Sequence, residues 1–123
     1  MILRRGFVGN LTDCSPRATL ALMIEIRKTE VFARWLDGLR DLRARARVQV
    51  RIERLAASHR GDAKVVGGGV SELRIDYGPG YRVYCTNHGG AVVILLAGGD
   101  KRTQVADIIT AIRLAQRLEG MNK

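Results

Sequence analysis

The sequence predicts a single α+β domain in which a strand and two helices precede three strands and a last helix. Three observations carry that prediction. Residues 71–97 hold three alternating segments joined by two glycine turns, the pattern of consecutive antiparallel strands. Before them, apolar residues recur at helical spacing in two stretches, one after Thr29 and one after Asp41. After them, Val105, Ile108, Ile109 and Ile112 set a further helical pattern. With 123 residues, 46% of them hydrophobic, the chain has the length of one domain and can bury a core without metal or disulfide staples.

The first 22 residues, MILRRGFVGNLTDCSPRATLAL, lack this periodicity. Arg4 and Arg5 ahead of Phe7 and Val8 look superficially like a secretion signal, but Gly9, Asn10, Thr12, Asp13 and Pro16 interrupt any apolar region. Residues 1–22 are therefore expected to be a disordered extension or the product of a start codon upstream of Met23, with a short N-terminal arm as the alternative. The domain proper is expected to span 23–123.

Ile24–Lys28 alternates as a short strand. Thr29 is placed to cap the first helix, and Glu30 stands in its first turn, where the dipole favours an anion. Phe32, Trp35, Leu36 and Leu39 form its apolar stripe, which makes Trp35 a core residue rather than a stacking platform for a base. The second helix is expected over 41–57, with Asp41 and Arg45 as an i,i+4 pair. At about 100° per residue, Arg40, Arg43, Arg47, Arg51 and Arg54 fall within an arc of roughly 80° that contains no acid. Two readings fit this ridge: a surface that tracks phosphates, or a solvated helix face.

Residues 58–70, SHRGDAKVVGGGV, read as a loop. Gly67, Gly68 and Gly69 do not form a nucleotide cradle, because no Gly-Lys-Ser/Thr follows and a strand rather than a helix comes next. His59, Arg60 and Lys64 either reach a substrate from this loop or face solvent.

In the sheet, Leu73, Ile75 and Tyr77 share one face and Glu72, Arg74 and Asp76 the other. Tyr81, Val83 and Cys85 likewise oppose Arg82, Tyr84 and Thr86. The apolar phase is kept if Tyr77 faces Tyr81 across Gly78-Pro79-Gly80 and Cys85 faces Val92 across His88-Gly89-Gly90. That register sets Asp76 against Arg82 and Arg74 against Tyr84. It leaves Val93 and Leu95 beside Tyr84 and Arg82 on an open face, suited to bases and phosphates or to an amphipathic partner segment. Gly98-Gly99 ends the last strand, and Asp100 or Thr103 caps the last helix. Lys101 stands at that corner, where the dipole gives a cation no benefit.

Lysine and arginine number 21 against 12 acids, a net charge of +9. Eighteen of the 21 and 11 of the 12 lie from residue 23 onward, so the domain itself is strongly basic. Such a field favours nucleic acid, an anionic membrane or an acidic protein, and charge alone does not choose among them. Cys14 and Cys85 make no disulfide framework, and Cys85 falls on the apolar phase of its strand, as expected of a cytoplasmic protein with free thiols. No apolar run has membrane length. No carboxylate pair or His/Cys cluster suggests a metal site, and no cofactor is expected.

The strings ELRIDYGPGYRVYC and LLAGGDKRTQ, together with EIRKTEVFARWLDGLRD and GDAKVVGGGVSELR, resemble the addiction-module killer-protein branch of the RelE/ParE toxin superfamily, the HigB-like bacterial and phage proteins. The resemblance covers Met23 to about Leu118. It implies a RelE-like domain, a helical hairpin packed on one face of a small, mainly antiparallel sheet. It implies the toxin of a type II toxin–antitoxin module, inhibiting translation by metal-independent, ribosome-dependent cleavage of messenger RNA. The implied partner is a cognate antitoxin, commonly a helix-turn-helix DNA-binding protein.

Carried onto this chain, the matching positions are Arg74, Arg82 and Lys101, which would bind phosphate and stabilise the extra negative charge of a phosphorane-like transition state. Tyr84, His88 and Lys101 are the groups available for proton transfer, with Tyr84 completing the expected catalytic set. Arg43, Arg47, Arg51, Lys64 and His88 form the expected RNA-binding set. The chain departs from the ribonuclease members near its end, because neither Leu96–Gln104 nor the terminal LEGMNK holds a tyrosine or histidine. Other members poison DNA gyrase, so a gyrase target, or a non-catalytic toxin fold that binds an antitoxin, is the alternative. Arg74 and Arg82 also have a purely structural reading as cross-strand partners of Glu72 and Asp76.

Overall fold

A computed structural model of the chain describes residues 2–3, 24–57, 59 and 61–121. The elements are β1 (Ile2–Leu3), β2 (Glu25–Lys28), α1 (Glu30–Asp37), α2 (Leu42–Ala56), β3 (Ala63–Gly67), β4 (Val70–Ile75), β5 (Tyr81–His88), β6 (Val92–Gly99) and α3 (Gln104–Met121). The strands form one sheet in the order β1-β2-β6-β5-β4-β3. β2 and β6 run parallel, and the other neighbouring pairs run antiparallel. The α+β class is as the sequence predicts, but the expected order β-α-α-β-β-β-α lacks two strands. One is β1, whose Ile2 and Leu3 pair with Arg27 and Ile26 of β2. The rest of the N-terminal segment, Cys14 included, lies outside the described residues.

The other is β3, inside the segment expected to be a loop. Ala63-Lys64-Val65 pairs with Leu73-Glu72-Ser71, and Gly67, Gly68 and Gly69 turn the hairpin at φ of 111°, 59° and 76°. Those angles lie where a side chain is strained, so the three glycines serve the turn. The strand is too short, and too close to this glycine run, to show as a pattern of its own.

Both helix starts are as read. The Thr29 hydroxyl accepts from Phe32 N at 3.1 Å and donates to Leu96 O at 2.6 Å, so one side chain caps α1 and ties it to β6. Asp41 caps α2 through Arg43 N and Ala44 N, and the Ala44 amide holds its carboxyl below the usual range. The expected Asp41–Arg45 pair does not form. Arg45 donates instead to the carbonyls of Leu36 and Asp37, bracing the turn between the helices.

The sheet has no open face. Helices α1 and α2 cover one side, burying Phe32, Leu36, Val48 and Ile52 against Ile26, Leu73, Val83, Cys85, Val93 and Leu95. Helix α3 covers the other, packing Ala111 and Ala115 on Val70, Tyr84, Ile94 and Leu96. The expected register fails at two points. Ile75, not Tyr77, faces Tyr81, because residues 76–80 close the turn through Tyr77 N to Ile75 O and Gly80 N to Tyr77 O. Tyr84 faces Ala97 but Cys85 faces Leu95, so Leu96 is an extra residue on β6. The turn pairs His88 with Val92 and Cys85 with Leu95, not with Val92, which sends Val93 and Leu95 to the α1–α2 side, and the bulge then sets Ala97 beside Tyr84 on the α3 side. VVILLA is apolar throughout because both its faces are buried. Among the described residues, no helix is long and apolar enough to cross a membrane.

Trp35 lies against this core, its ring 5.6 Å from Phe32 and 6.3 Å from Tyr81. A Cβ at Gly98 would overlap that ring. A Gly98→Ala variant should therefore lose about 1–3 kcal/mol of stability through overpacking, and a Trp35→Leu change in the same chain should restore part of it. Chemical unfolding checks this, and an unchanged midpoint in the single variant would contradict the packing described.

Candidate nucleic-acid interface

The buried side of the site begins with Glu72, whose side chain is 0% exposed. Its Oε2 accepts from Tyr84 Oη at 3.2 Å and from Gln104 Nε2 at 2.8 Å, and its Oε1 accepts from Arg74 Nε at 3.4 Å. Arg82 Nε lies 3.4 Å from the same Oε2 as an ion pair and makes no hydrogen bond. Both lone-pair directions of that oxygen are already taken by the phenol and the amide. Arg82 is thus paired with Glu72 rather than with Asp76, and directly faces Arg74 across the ladder.

Tyr84 was expected on an open face; it is buried under α3. Burial first, then the charge of Glu72, pushes its phenol well above the ordinary range. The phenol therefore keeps its proton, and it has no exposed surface through which to touch a substrate.

Arg82 and Lys101 meet at one corner. Arg82 Nη1 donates to Gly80 O at 2.9 Å, and a Cβ on Gly80 would stand 3.4 Å from that nitrogen and 3.7 Å from Lys101 Cβ. Lys101 opens a short 3₁₀ turn, Lys101–Thr103, capped by Asp100 through Arg102 N. Lys101 is exposed, Arg74 keeps 42% of its side chain in solvent and Arg82 only 12%. Two carboxylates share the corner: Asp100 is bound to Arg102, and Asp107 accepts from the Thr103 hydroxyl.

The arginines of α2 make a second feature. A groove of about 660 Å³ runs between this helix and the end of β4, lined by Arg43, Arg47, Arg51, Arg54 and Arg74, with Asp76 as its one carboxylate. Ala46, Val50 and Ile75 supply its apolar lining. Arg47 lies 4.7 Å over the Tyr77 ring, whose hydroxyl donates to Asp41 at 3.1 Å.

Arg51 differs from its neighbours on the ridge. It is buried, with Nη2 donating to Asp62 O at 2.8 Å and Nε to Arg74 O at 3.5 Å. Burial draws its guanidinium below the ordinary range. Arg51 thus anchors the α2–β3 connection to β4. Its place at the edge of the arginine arc, about 20° from Ala44 on the buried stripe, is the signal that could have shown this.

The remaining expected residues lie elsewhere. His88 stands at the far end of β5, six residues and about 20 Å from Arg82. Lys64 is exposed on the edge strand β3, directly opposite Glu72 and so directed to the α3 side. His59 is exposed after α2, and Arg60 lies outside the described residues. The corner therefore collects Arg74, Arg82 and Lys101, and the groove collects Arg43, Arg47 and Arg54; Arg74 lines the groove but pairs its side chain with Glu72 on the α3 side. Sequence reading missed the central place of Glu72 and Gln104; a glutamate in a strand interior, two residues from one arginine and facing a tyrosine, is the signal it carried. Among the described residues, no group of histidine, cysteine and carboxylate side chains could hold a metal ion.

Against known proteins, a family model described as "Phage derived protein Gp49-like (DUF891)" matches residues 34–118. The chain belongs to this family. The matched range includes every residue of the corner and the groove. An uncharacterized protein of Haemophilus influenzae is 52% identical over 97 residues, which cover 79% of this chain and 98% of that protein. The Gp49-like family is associated with toxins of toxin–antitoxin systems, which typically pair with an antitoxin, and membership supports a toxin role for this chain.

Two measurements check the buried network of this Gp49-like chain. Replacing Glu72 with Ala leaves Arg82 with an uncompensated, largely buried charge and should cost about 3–5 kcal/mol; a loss below 1 kcal/mol, read by urea unfolding, would show that the pair is solvated. A raised Tyr84 phenol stabilises the fold in full below the unfolded value near 10, and this contribution is lost as pH climbs through the raised folded value. Stability should thus fall above about pH 10, less steeply in Tyr84→Phe. Equal slopes would mean that Tyr84 titrates like an exposed phenol.

Proposed function

We propose that this chain is the toxin of a type II toxin–antitoxin pair and that it stops translation by cutting messenger RNA on the ribosome. The observation that carries the reading is the meeting of Arg74, Arg82 and Lys101 at one end of the sheet, with Arg74 and Lys101 in solvent and Arg82 held behind them by Glu72. Such an array suits a phosphodiester whose negative charge grows in the transition state. In metal-independent cleavage the ribose 2′-oxygen bonds to the adjacent phosphorus as the bond to the 5′-oxygen breaks. The products are a 2′,3′-cyclic phosphate and a free 5′-hydroxyl. The 2′-hydroxyl loses its proton and the departing oxygen gains one.

Tyr84 is locked against Glu72 and His88 is at the far end of β5, so of the three proton-transfer candidates Lys101 is the one at the corner. In this reading Lys101 protonates the departing oxygen, while Arg74 and Arg82 stabilise the phosphorane. The partner is a cognate antitoxin, expected to be a helix-turn-helix DNA-binding protein.

The test is tightly controlled expression of the full chain, with transcript ends mapped before and after induction. New ends within translated messages are expected. Lys101→Ala should lower the cleavage rate about 10²–10³-fold while keeping the wild-type unfolding midpoint, because Lys101 is exposed. Tyr84→Phe should remain active. Growth arrest with intact messages and trapped DNA breaks on gyrase would replace this reading with that of a gyrase poison.

A further inference from the structure

Metal-independent cleavage needs a group that takes the proton of the 2′-hydroxyl, and Lys101 supplies only the proton for the departing oxygen. We propose that Asp107 is that base: one oxygen of its carboxylate, held beside Arg82 in the space left by Gly99, takes the 2′-hydroxyl proton. This inference rests on the reading of RNA as the substrate and adds a residue to the same site.

Gly99 is the observation that leads to Asp107. It directly faces Arg82 across the β5–β6 ladder and stands two residues before Lys101. It is not among the glycines with a positive φ, so its backbone does not require glycine and what it provides is room. A Cβ there would overlap the carboxylate of Asp107 and stand 2.8 Å from the Thr103 hydroxyl. Opposed residues of an antiparallel pair direct their side chains to one face, with Cβ positions about 5 Å apart. The carboxylate thus lies within about 7 Å of the root of the Arg82 side chain, on the side where Arg82 meets Glu72. Lys101 borders the same arginine at Gly80.

The other carboxylates of this region are committed. Both oxygens of Glu72 are occupied in the buried network. Both oxygens of Asp100 are bound to Arg102, one by its amide and one by its guanidinium. Asp76 lines the α2 groove instead. Asp107 accepts the Thr103 hydroxyl on Oδ2 at 2.5 Å, and among the described residues no hydrogen bond engages its Oδ1. The side chain is half-buried, so one oxygen is held in place while the other can accept from a ligand. The dipole favours an anion in this first turn of α3. That explains a carboxylate at residue 107, but neither the glycine kept clear beneath it nor the unengaged oxygen.

In the step, the 2′-hydroxyl passes its proton to Asp107 Oδ1 as its oxygen bonds to phosphorus. The bond to the 5′-oxygen breaks, and that oxygen takes a proton from the Lys101 ammonium. Asp107 is left protonated and Lys101 neutral, and exchange with water restores both.

The test uses the full chain and ribosomes programmed with a message cut at a mapped site. The message is made in two forms, one with the ordinary 5′-oxygen at the scissile bond and one with sulfur in its place. A thiolate departs without being protonated, so the sulfur form dispenses with the acid but not with the base. Asp107→Asn keeps an oxygen for Thr103 and should retain the wild-type unfolding midpoint. It should also retain the wild-type affinity for a message made uncleavable by a 2′-deoxy nucleotide at the site. It should cut the ordinary message about 10²–10⁴-fold more slowly and be slowed by a like factor on the sulfur form. Lys101→Ala should cut the sulfur form as fast as the wild type does. Asp107→Ala should be as slow as Asp107→Asn and regain part of the rate when formate is added, which a lost packing contact would not. Wild-type cleavage of the ordinary message by Asp107→Asn would overturn the inference. So would recovery of Asp107→Asn on the sulfur form, which would place Asp107 at the departing oxygen. Failure of the cleavage reading looks different: the wild type itself would leave both messages intact, and the inference would fall with it.

Discussion

A carboxylate buried inside a sheet costs several kcal/mol unless its oxygens are fully occupied. Glu72 meets that condition with four partners drawn from three elements: Arg74 of β4, Arg82 and Tyr84 of β5, and Gln104 at the start of α3. The arrangement settles much that is otherwise free. It seats the first turn of α3 over the sheet and consumes the Tyr84 hydroxyl. It draws Arg82 inward and leaves Arg74 partly in solvent.

The same coverage decides where the positive charge of the molecule can go. β6 is apolar on both faces because α1 and α2 close one side of the sheet and α3 the other. Guanidinium and ammonium groups cannot be accommodated in either layer without a partner such as Glu72. Among the exposed cations, Arg74 and Lys101 lie at the sheet's end and Arg43, Arg47 and Arg54 on the outer flank of α2. The net charge of +9 carried by the chain is therefore expressed largely at its surface.

One helix divides its arginines between two tasks according to phase. Arg43, Arg47 and Arg54 point outward along the groove. Arg51, one step nearer the buried stripe, turns under and donates to the backbone carbonyls of Asp62 and Arg74. The side chains are identical, and tens of degrees of helix azimuth separate an exposed guanidinium from a structural clamp.

The residues alone yield the α+β class, both helix caps, the buried stripe of α1 with Trp35, and the apolar strand β6, because each depends on spacing and side-chain type within one segment. They also yield the arginine arc, since helical phase is local. They do not yield β3, whose pairing with β4 lies beside three glycines, or the Leu96 bulge, which shifts the register only when β5 and β6 are in contact. The pairing of His88 with Val92 across the turn, equally a matter between strands, sends Val93 and Leu95 to the helical hairpin, and α3 makes the expected open surface a second core. Glu72 is likewise one polar residue among several in the sequence. Its occupation by partners from residue 74 to residue 104 exists only once the chain has brought them together. Periodicity records what each segment prefers, whereas register, burial and the pairing of distant charges are settled between segments, and it is those that placed Tyr84 inside and left Arg74 and Lys101 at the surface.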